Sequence, residues 1–204
     1  RRDEADDPRV TTRLPYRTGT TFIEDKRGHL YLVAADSDPG AAASRRLTDD
    51  DGSWGAPSWS PDGESLLATR ERDPGAESLF MGRAIFRVPL DGGKPRQLVD
   101  APFSYVANGP AGAANAPETS PDGRWIATLR FPEDRATSRN TRLAVFPAEG
   151  GEVRDLTLAV DRSAMTLHWA HDGTLWCGLE DHGDLGLYTV SLDGEATLIV
   201  GGTR

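Results

Sequence analysis

Short runs of apolar, β-branched and aromatic residues, at 65–70, 84–89, 125–129, 141–146, 174–179 and 186–191, alternate along the chain with polar turn signals. The runs are too short for helices and carry the residue types that fit a pleated surface, so each predicts a β-strand. Two kinds of turn separate them. The first recurs as Trp59-Ser60-Pro61-Asp62-Gly63, Thr119-Ser120-Pro121-Asp122-Gly123 and Trp169-Ala170-His171-Asp172-Gly173. The second recurs as Leu90-Asp91-Gly92-Gly93, Ala148-Glu149-Gly150-Gly151 and Leu192-Asp193-Gly194-Glu195. In Ser-Pro-Asp-Gly, proline pre-sets φ at the second turn position, Asp suits the third, and Gly takes the left-handed position that closes a type I turn. Asp-Gly and Gly-Gly supply positive φ for two-residue or bulged hairpins. A short closing strand follows each second turn, at 96–99, 153–156 and 196–200.

The order is strand A, Pro-Asp-Gly turn, strand B, loop, strand C, Gly-Gly turn, strand D. Four antiparallel strands recurring every 40–60 residues are the signature of a β-propeller blade. The expected fold is all-β: a β-propeller segment of about four four-stranded antiparallel blades, with approximate limits 1–49, 50–100, 101–160 and 161–204. The first blade is the least regular, with strands expected at 10–16, 21–24, 29–34 and 45–48. A sandwich of four hairpins is the competing arrangement, and the fixed alternation of two turn types argues against it. The length also permits a self-closed four-bladed propeller, against the partial propeller expected here.

Blade topology puts the A–B and C–D turns on one rim and the B–C and D–A connections on the other. The turns are tight, whereas the connections at 71–83, 101–118 and 131–140 are long and carry Phe80, Met81, Phe103, Tyr105 and Phe131. Long connections in a compact domain are commonly functional. The connection rim is therefore expected to meet a ligand, another domain or another chain, the alternative being that these side chains fold back and cap the blades. Trp59 and Trp169 end strand A and are expected to pack between neighbouring blades. Thr119 replaces them in the third blade, where Trp125 supplies bulk from strand B.

Composition agrees with this picture: 204 residues with 22 Gly, 14 Pro and 37% hydrophobic residues leave little room for long helices. A net charge of −9, with Asp3, Glu4, Asp6 and Asp7 clustered at the start, supplies no basic patch for phosphates and argues against nucleic acid or an anionic membrane as partner. A lone cysteine, Cys177, excludes an internal disulfide framework and favours a reducing, cytoplasmic compartment. No apolar run approaches the roughly 20 residues of a spanning helix. The chain opens Arg1-Arg2-Asp3 without an initiator methionine and closes directly after a strand-like run, so a piece of a larger protein is expected.

Catalytic chemistry is not legible. There is no Gly-x-Ser-x-Gly elbow, and Gly52-Ser53-Trp54-Gly55 has the wrong spacing; dinucleotide loops, phosphate-binding Lys loops and paired Cys-x-x-Cys are missing too. Four residues suggest a metal, His168, His171, Cys177 and His182, since zinc takes such ligands when they converge tetrahedrally. Against that, His171 fills the proline slot of the turn and Cys177 alternates as a buried strand residue. Asp62, Asp122 and Asp172 are accounted for by turn geometry, and Asp49, Asp50 and Asp51 by a solvated loop. The expectation is no catalytic, cofactor-binding or metal residue in this chain.

The repeat Pro57-Ser58-Trp59-Ser60-Pro61-Asp62-Gly63 with Leu66-Leu67-Ala68, Ile85-Phe86-Arg87-Val88 and Gly92-Gly93-Lys94-Pro95-Arg96-Gln97-Leu98 resembles the propeller repeats of TolB-type proteins and of prolyl-oligopeptidase-family serine peptidases. The strings Asp6-Asp7-Pro8-Arg9-Val10-Thr11-Thr12-Arg13-Leu14-Pro15-Tyr16-Arg17 and His29-Leu30-Tyr31-Leu32-Val33 resemble the acylaminoacyl-peptidase branch of that family. The resemblance implies a parent enzyme acting on short or acylated peptides. Its propeller would filter access to an α/β-hydrolase domain with a Ser-Asp-His triad, a domain absent from this chain. A TolB-like scaffold for protein contacts is the alternative. Blades cut from a larger ring would expose apolar terminal faces, so a homo-oligomer is expected.

Overall fold

The computed structural model describes residues 17–18, 21–22, 27–35, 44–72, 82–99, 103–105, 115–132 and 140–201. Among them every element is a β-strand and every pairing is antiparallel. In the first blade β1 (Arg17–Thr18) pairs with β2 (Thr21–Phe22), and β3 (Tyr31–Leu32) with β4 (Arg45–Arg46). The strand expected at 10–16 lies outside the described residues. The second blade is the sheet β5 (Trp54–Trp59), β6 (Ser65–Glu71), β7 (Arg83–Pro89), β8 (Arg96–Gln97), in that order.

The third sheet departs from expectation. It contains β9 (Phe103–Tyr105), β10 (Glu118–Thr119), β11 (Trp125–Pro132), β12 (Arg142–Pro147) and β13 (Arg154–Asp155). β10 pairs with residues 126–127 of β11, while β9 pairs with residues 130–132 further along the same edge. The innermost strand of this blade is thus split in two, and part of the connection at 101–118 is strand. The fourth blade is β14 (Ala164–Trp169), β15 (Leu175–Asp181), β16 (Asp184–Val190) and β17 (Ala196–Val200). The first strands β5, β10 and β14 lie against one another. Sheets following one another in series with their first strands together are propeller blades, so the all-β propeller segment stands and the sandwich does not.

Alternation along the strands sends side chains to two opposite blade faces, and three cores result. Leu66 and Ala68 of β6, with Trp54 and Val88, pack on Leu30 and Leu47 of the first blade. Leu67 and Ile85 point the other way and join Ile126 and Phe146 of the third blade. Ala127, Leu129, Leu143 and Val145 then meet Leu167, Trp169, Leu175, Cys177 and Leu179 of the fourth. The A–B turn of the fourth blade is one residue shorter. Ser60 and Ser120 donate their amides to the carbonyls of Ser65 and Trp125, whereas Ala170 donates to Thr174. Leu175 therefore takes the place of Leu66 and Ile126, which keeps the core face in register.

Polar links work both within and between blades. Inside the third blade Asp155 accepts from Arg130 Nε at 2.7 Å and Arg142 Nη1 at 2.9 Å, with Arg130 buried. Glu149, on the C–D turn of the third blade, accepts from Arg87 and Arg96 of the second. The expectation for the tryptophans holds for one of two. Trp169 is 8% exposed and sits in the core between third and fourth blades, but Trp59 is 58% exposed. Among the described residues, the first blade reaches the shared core through Leu30 and Leu47, beside its outer strands, so the inner end of β5 stays uncovered. Trp125 packs on the third–fourth core as expected, with the Arg154 guanidinium 5.1 Å from its ring centroid.

Candidate functional site

On the connection rim, the D–A connection at 161–163 and the B–C turn of the fourth blade enclose a cleft of about 410 Å³. Asn140, Asp161, Arg162, Ser163, Glu180 and His182 line it. The B–C turn is a two-residue hairpin because Asp181 pairs with Asp184, and both central residues have positive φ, 51° at His182 and 83° at Gly183. That is the type I′ requirement, and it lifts the imidazole onto the rim. This B–C connection is thus a minimal turn, unlike the long ones expected at 71–83 and 131–140.

The cleft is held by charge. Arg162 Nε donates to Asp181 Oδ1 at 2.8 Å, and His182 Nδ1 lies 2.5 Å from the same oxygen. The bond from His182, then that from Arg162, hold the Asp181 carboxyl below its ordinary value. Asn140 Nδ2 donates to Asp161 at 3.0 Å, and Ser163 Oγ donates to Asn140 Oδ1 at 3.3 Å. Ser163, His182 and Asp181 share one rim, but the serine hydroxyl is bonded to Asn140. A nucleophile needs its base within hydrogen-bond reach, and the set lacks that step. The arrangement suits recognition of a polar or charged group, not acyl transfer.

On the opposite rim a wider hollow of about 720 Å³ opens between the third and fourth blades, floored by Trp125, Trp169 and Leu175 and edged by Arg124, His171 and Asp172. Sequence reasoning assigned this rim to tight turns and did not foresee the hollow; the tryptophans at 125 and 169 were the available signal. The turn aspartates do what the motif requires. Asp62 accepts from Ser60 Oγ and the Glu64 amide, Asp122 from Ser120 Oγ and the Arg124 amide, and Asp172 from the Thr174 amide. Those bonds, led by Ser60 and Ser120 for the first two and the Thr174 amide for the third, lower all three carboxyls.

The possible metal ligands do not converge. His168 is exposed 3.2 Å from Glu118, and His171 is exposed in the turn. Cys177 is buried on the opposite face of the sheet from His168, and burial pushes its thiol up to about 12, which removes thiolate chemistry at neutral pH. His182 lies on the other rim. Among the described residues no cluster of three His, Cys, Asp or Glu is arranged for a metal.

No family model matches the chain. Its sequence is 29% identical over 136 residues to dipeptidyl-peptidase 5 of Aspergillus oryzae, covering 66% of this chain and 19% of that protein. The Trichophyton schoenleinii dipeptidyl-peptidase 5 is 33% identical over 119 residues, covering 53% and 15%. The chain spans about a fifth, or less, of the length of these relatives. In fold it is similar to a puromycin hydrolase at 25% identity and TM-score 0.64, over 87% of this chain and 28% of that one. The fold also matches the Pyrococcus horikoshii acylaminoacyl peptidase at 16% identity and TM-score 0.63, over 99% and 29%. The β-propeller domain of the Trilobed protease from Pyrococcus furiosus matches at 20% and 0.53, over 78% and 42%. The resemblance read from the motifs, to the propeller portion of a prolyl-oligopeptidase-family peptidase, is borne out.

Proposed function

We propose that this chain is the non-catalytic propeller segment of an acylaminoacyl-peptidase-like serine peptidase, and that in the parent it filters short or acylated peptides on their way to an α/β-hydrolase domain. The observation that carries the reading is the pairing of two coverages. A chain matching at 87% of its own length accounts for only 28% of a puromycin hydrolase, leaving room there for a catalytic domain. The connection rim is the side assigned to the hydrolase domain and the peptide, because its charged cleft offers Arg162 beside Asp161 and Glu180 to polar peptide ends.

Two measurements test this. The 204-residue chain, incubated with N-acylated peptides and dipeptidyl anilides, is expected to give no turnover, and turnover overturns the non-catalytic assignment. The coding region after Arg204 is expected to encode a strand, a Gly-x-Ser-x-Gly turn and a helix. A coding region that adds only further blades, or stops, overturns the peptidase parent in favour of a TolB-like scaffold.

A further inference from the structure

Two successive blade junctions are sealed differently on the turn rim. Pairing across the sheets aligns them: Ile126 with Phe146 in the third blade answers to Leu175 with Val190 in the fourth, and Ser65 of the second blade answers to Trp125 of the third. Between the second and third blades the rim is closed. Phe146 is fully buried beside Ile126, Ser65 is small and buried, and Glu149 draws the rim together by accepting from Arg87 and Arg96 of the blade before.

Between the third and fourth blades each of those parts is changed. Val190 stands in the place of Phe146, an indole in the place of Ser65, and Val145 and Arg154 in the places of Arg87 and Arg96. Val145 is buried in the core and Arg154 lies over Trp125, so Asp193, the counterpart of Glu149, makes no ion pair among the described residues. The result is the hollow of about 720 Å³, a size suited to small-molecule sites, and both of its walls belong to this chain.

One polar group of its lining has no partner. Trp169 is 8% exposed, and its Nε1 is buried without an acceptor among the described residues. An unmade bond at a buried donor is costly, and native structures rarely keep one. The rest of this indole is packed in the core, so the hollow is the side from which an acceptor can arrive. At the edge, Arg124 is set against Asp122 and Asp172, and the two carboxylates already accept from their own turns. The floor of two indoles and a leucine therefore decides what is held.

We propose that this hollow binds a small neutral aromatic molecule carrying a carbonyl, its ring against Trp125 and Leu175 and its carbonyl oxygen accepting from Trp169 Nε1. Because Nε1 has no open surface of its own, the indole tilts toward the carbonyl on binding. The site lies on the rim opposite the charged cleft and does not rest on the peptidase reading.

The test is NMR of the indole N–H groups in the full-length protein labelled with ¹⁵N-tryptophan, the Trp169 signal being the one lost in Trp169→Phe. Acetophenone is titrated against cumene, which has the same shape without the carbonyl. Both are expected to move the Trp125 and Trp169 signals saturably, and only acetophenone to carry the Trp169 proton downfield. Trp169→Phe keeps a ring and removes the donor; it is expected to weaken acetophenone about tenfold and cumene less than about twofold, with an unchanged circular dichroism spectrum. If that variant misfolds, Trp125→Phe replaces it, and it is expected to weaken both compounds by the same factor while one indole proton still moves downfield with acetophenone alone. Signals that neither compound moves overturn the proposal. So do equal losses for the two compounds in Trp169→Phe, or a Trp125→Phe variant that binds both as the wild type does.

Discussion

Leu143 and Leu187 occupy the same place in successive blades, on strand C and facing the blade that comes next. The first is fully buried between the third and fourth blades, and the second is 39% exposed, with no further sheet over it among the described residues. The strand, its pairing and the residue type are alike. What differs is the next sheet, so in this fold the worth of an apolar side chain is set by the neighbouring blade and not by its own strand.

That contrast can be broken at several strengths. The largest effect is expected from Asp155→Ala, which removes the carboxylate shared by Arg130 and Arg142 within the third blade. Removing one partner of a buried pair costs about 3–5 kcal/mol, and urea unfolding would read it. Leu143→Ala should cost about 2–5 kcal/mol through lost burial and a cavity. Gly150→Ala comes next: φ there is +93°, and an added Cβ would stand 2.5 Å from the Leu98 carbonyl oxygen of the preceding blade. Left-handed backbone alone costs about 1–2 kcal/mol for a residue with a Cβ, and the close approach adds to it. Leu187→Ala should stay within about 0.5 kcal/mol. A Leu187→Ala penalty equal to that of Leu143→Ala would erase the comparison.

Acid sharpens a smaller contrast, between turns with and without a serine. Asp62 and Asp122 are held below the ordinary value of 3.8, first by Ser60 and Ser120. A depressed folded value means stability that is present above the unfolded pKa and lost as pH falls through the folded one. Thermal stability is therefore expected to be flat near neutrality and to fall below about pH 4. Ser60→Ala with Ser120→Ala should flatten that fall. The turn of the fourth blade has Ala170 in the serine position already, and Asp172 leans on the Thr174 amide instead.

Much of the architecture was legible because turn chemistry is local. Asp62-Gly63 and its repeats announce hairpins wherever they occur, and strand β17 was expected at the residues where it lies. The split inner strand of the third blade was not legible, because β9 is placed by pairing with residues 130–132, some 25 residues further along the chain. The cleft on the connection rim was expected as a rim and not as a set of residues. Arg162, Asp181 and His182 come together only when a two-residue turn folds beside the connection from the blade before. The hollow on the turn rim was missed for the same reason: it exists between blades and belongs to neither.

The sequence alone determined that the fold is all-β and that two alternating turn types order its strands into blades, since these depend on short-range turn geometry and on residue identity. Tertiary structure decided which apolar positions are core. Trp169 and Leu143 are covered while Trp59 and Leu187 are not, because burial in a propeller is a relation between two sheets that no single strand can encode.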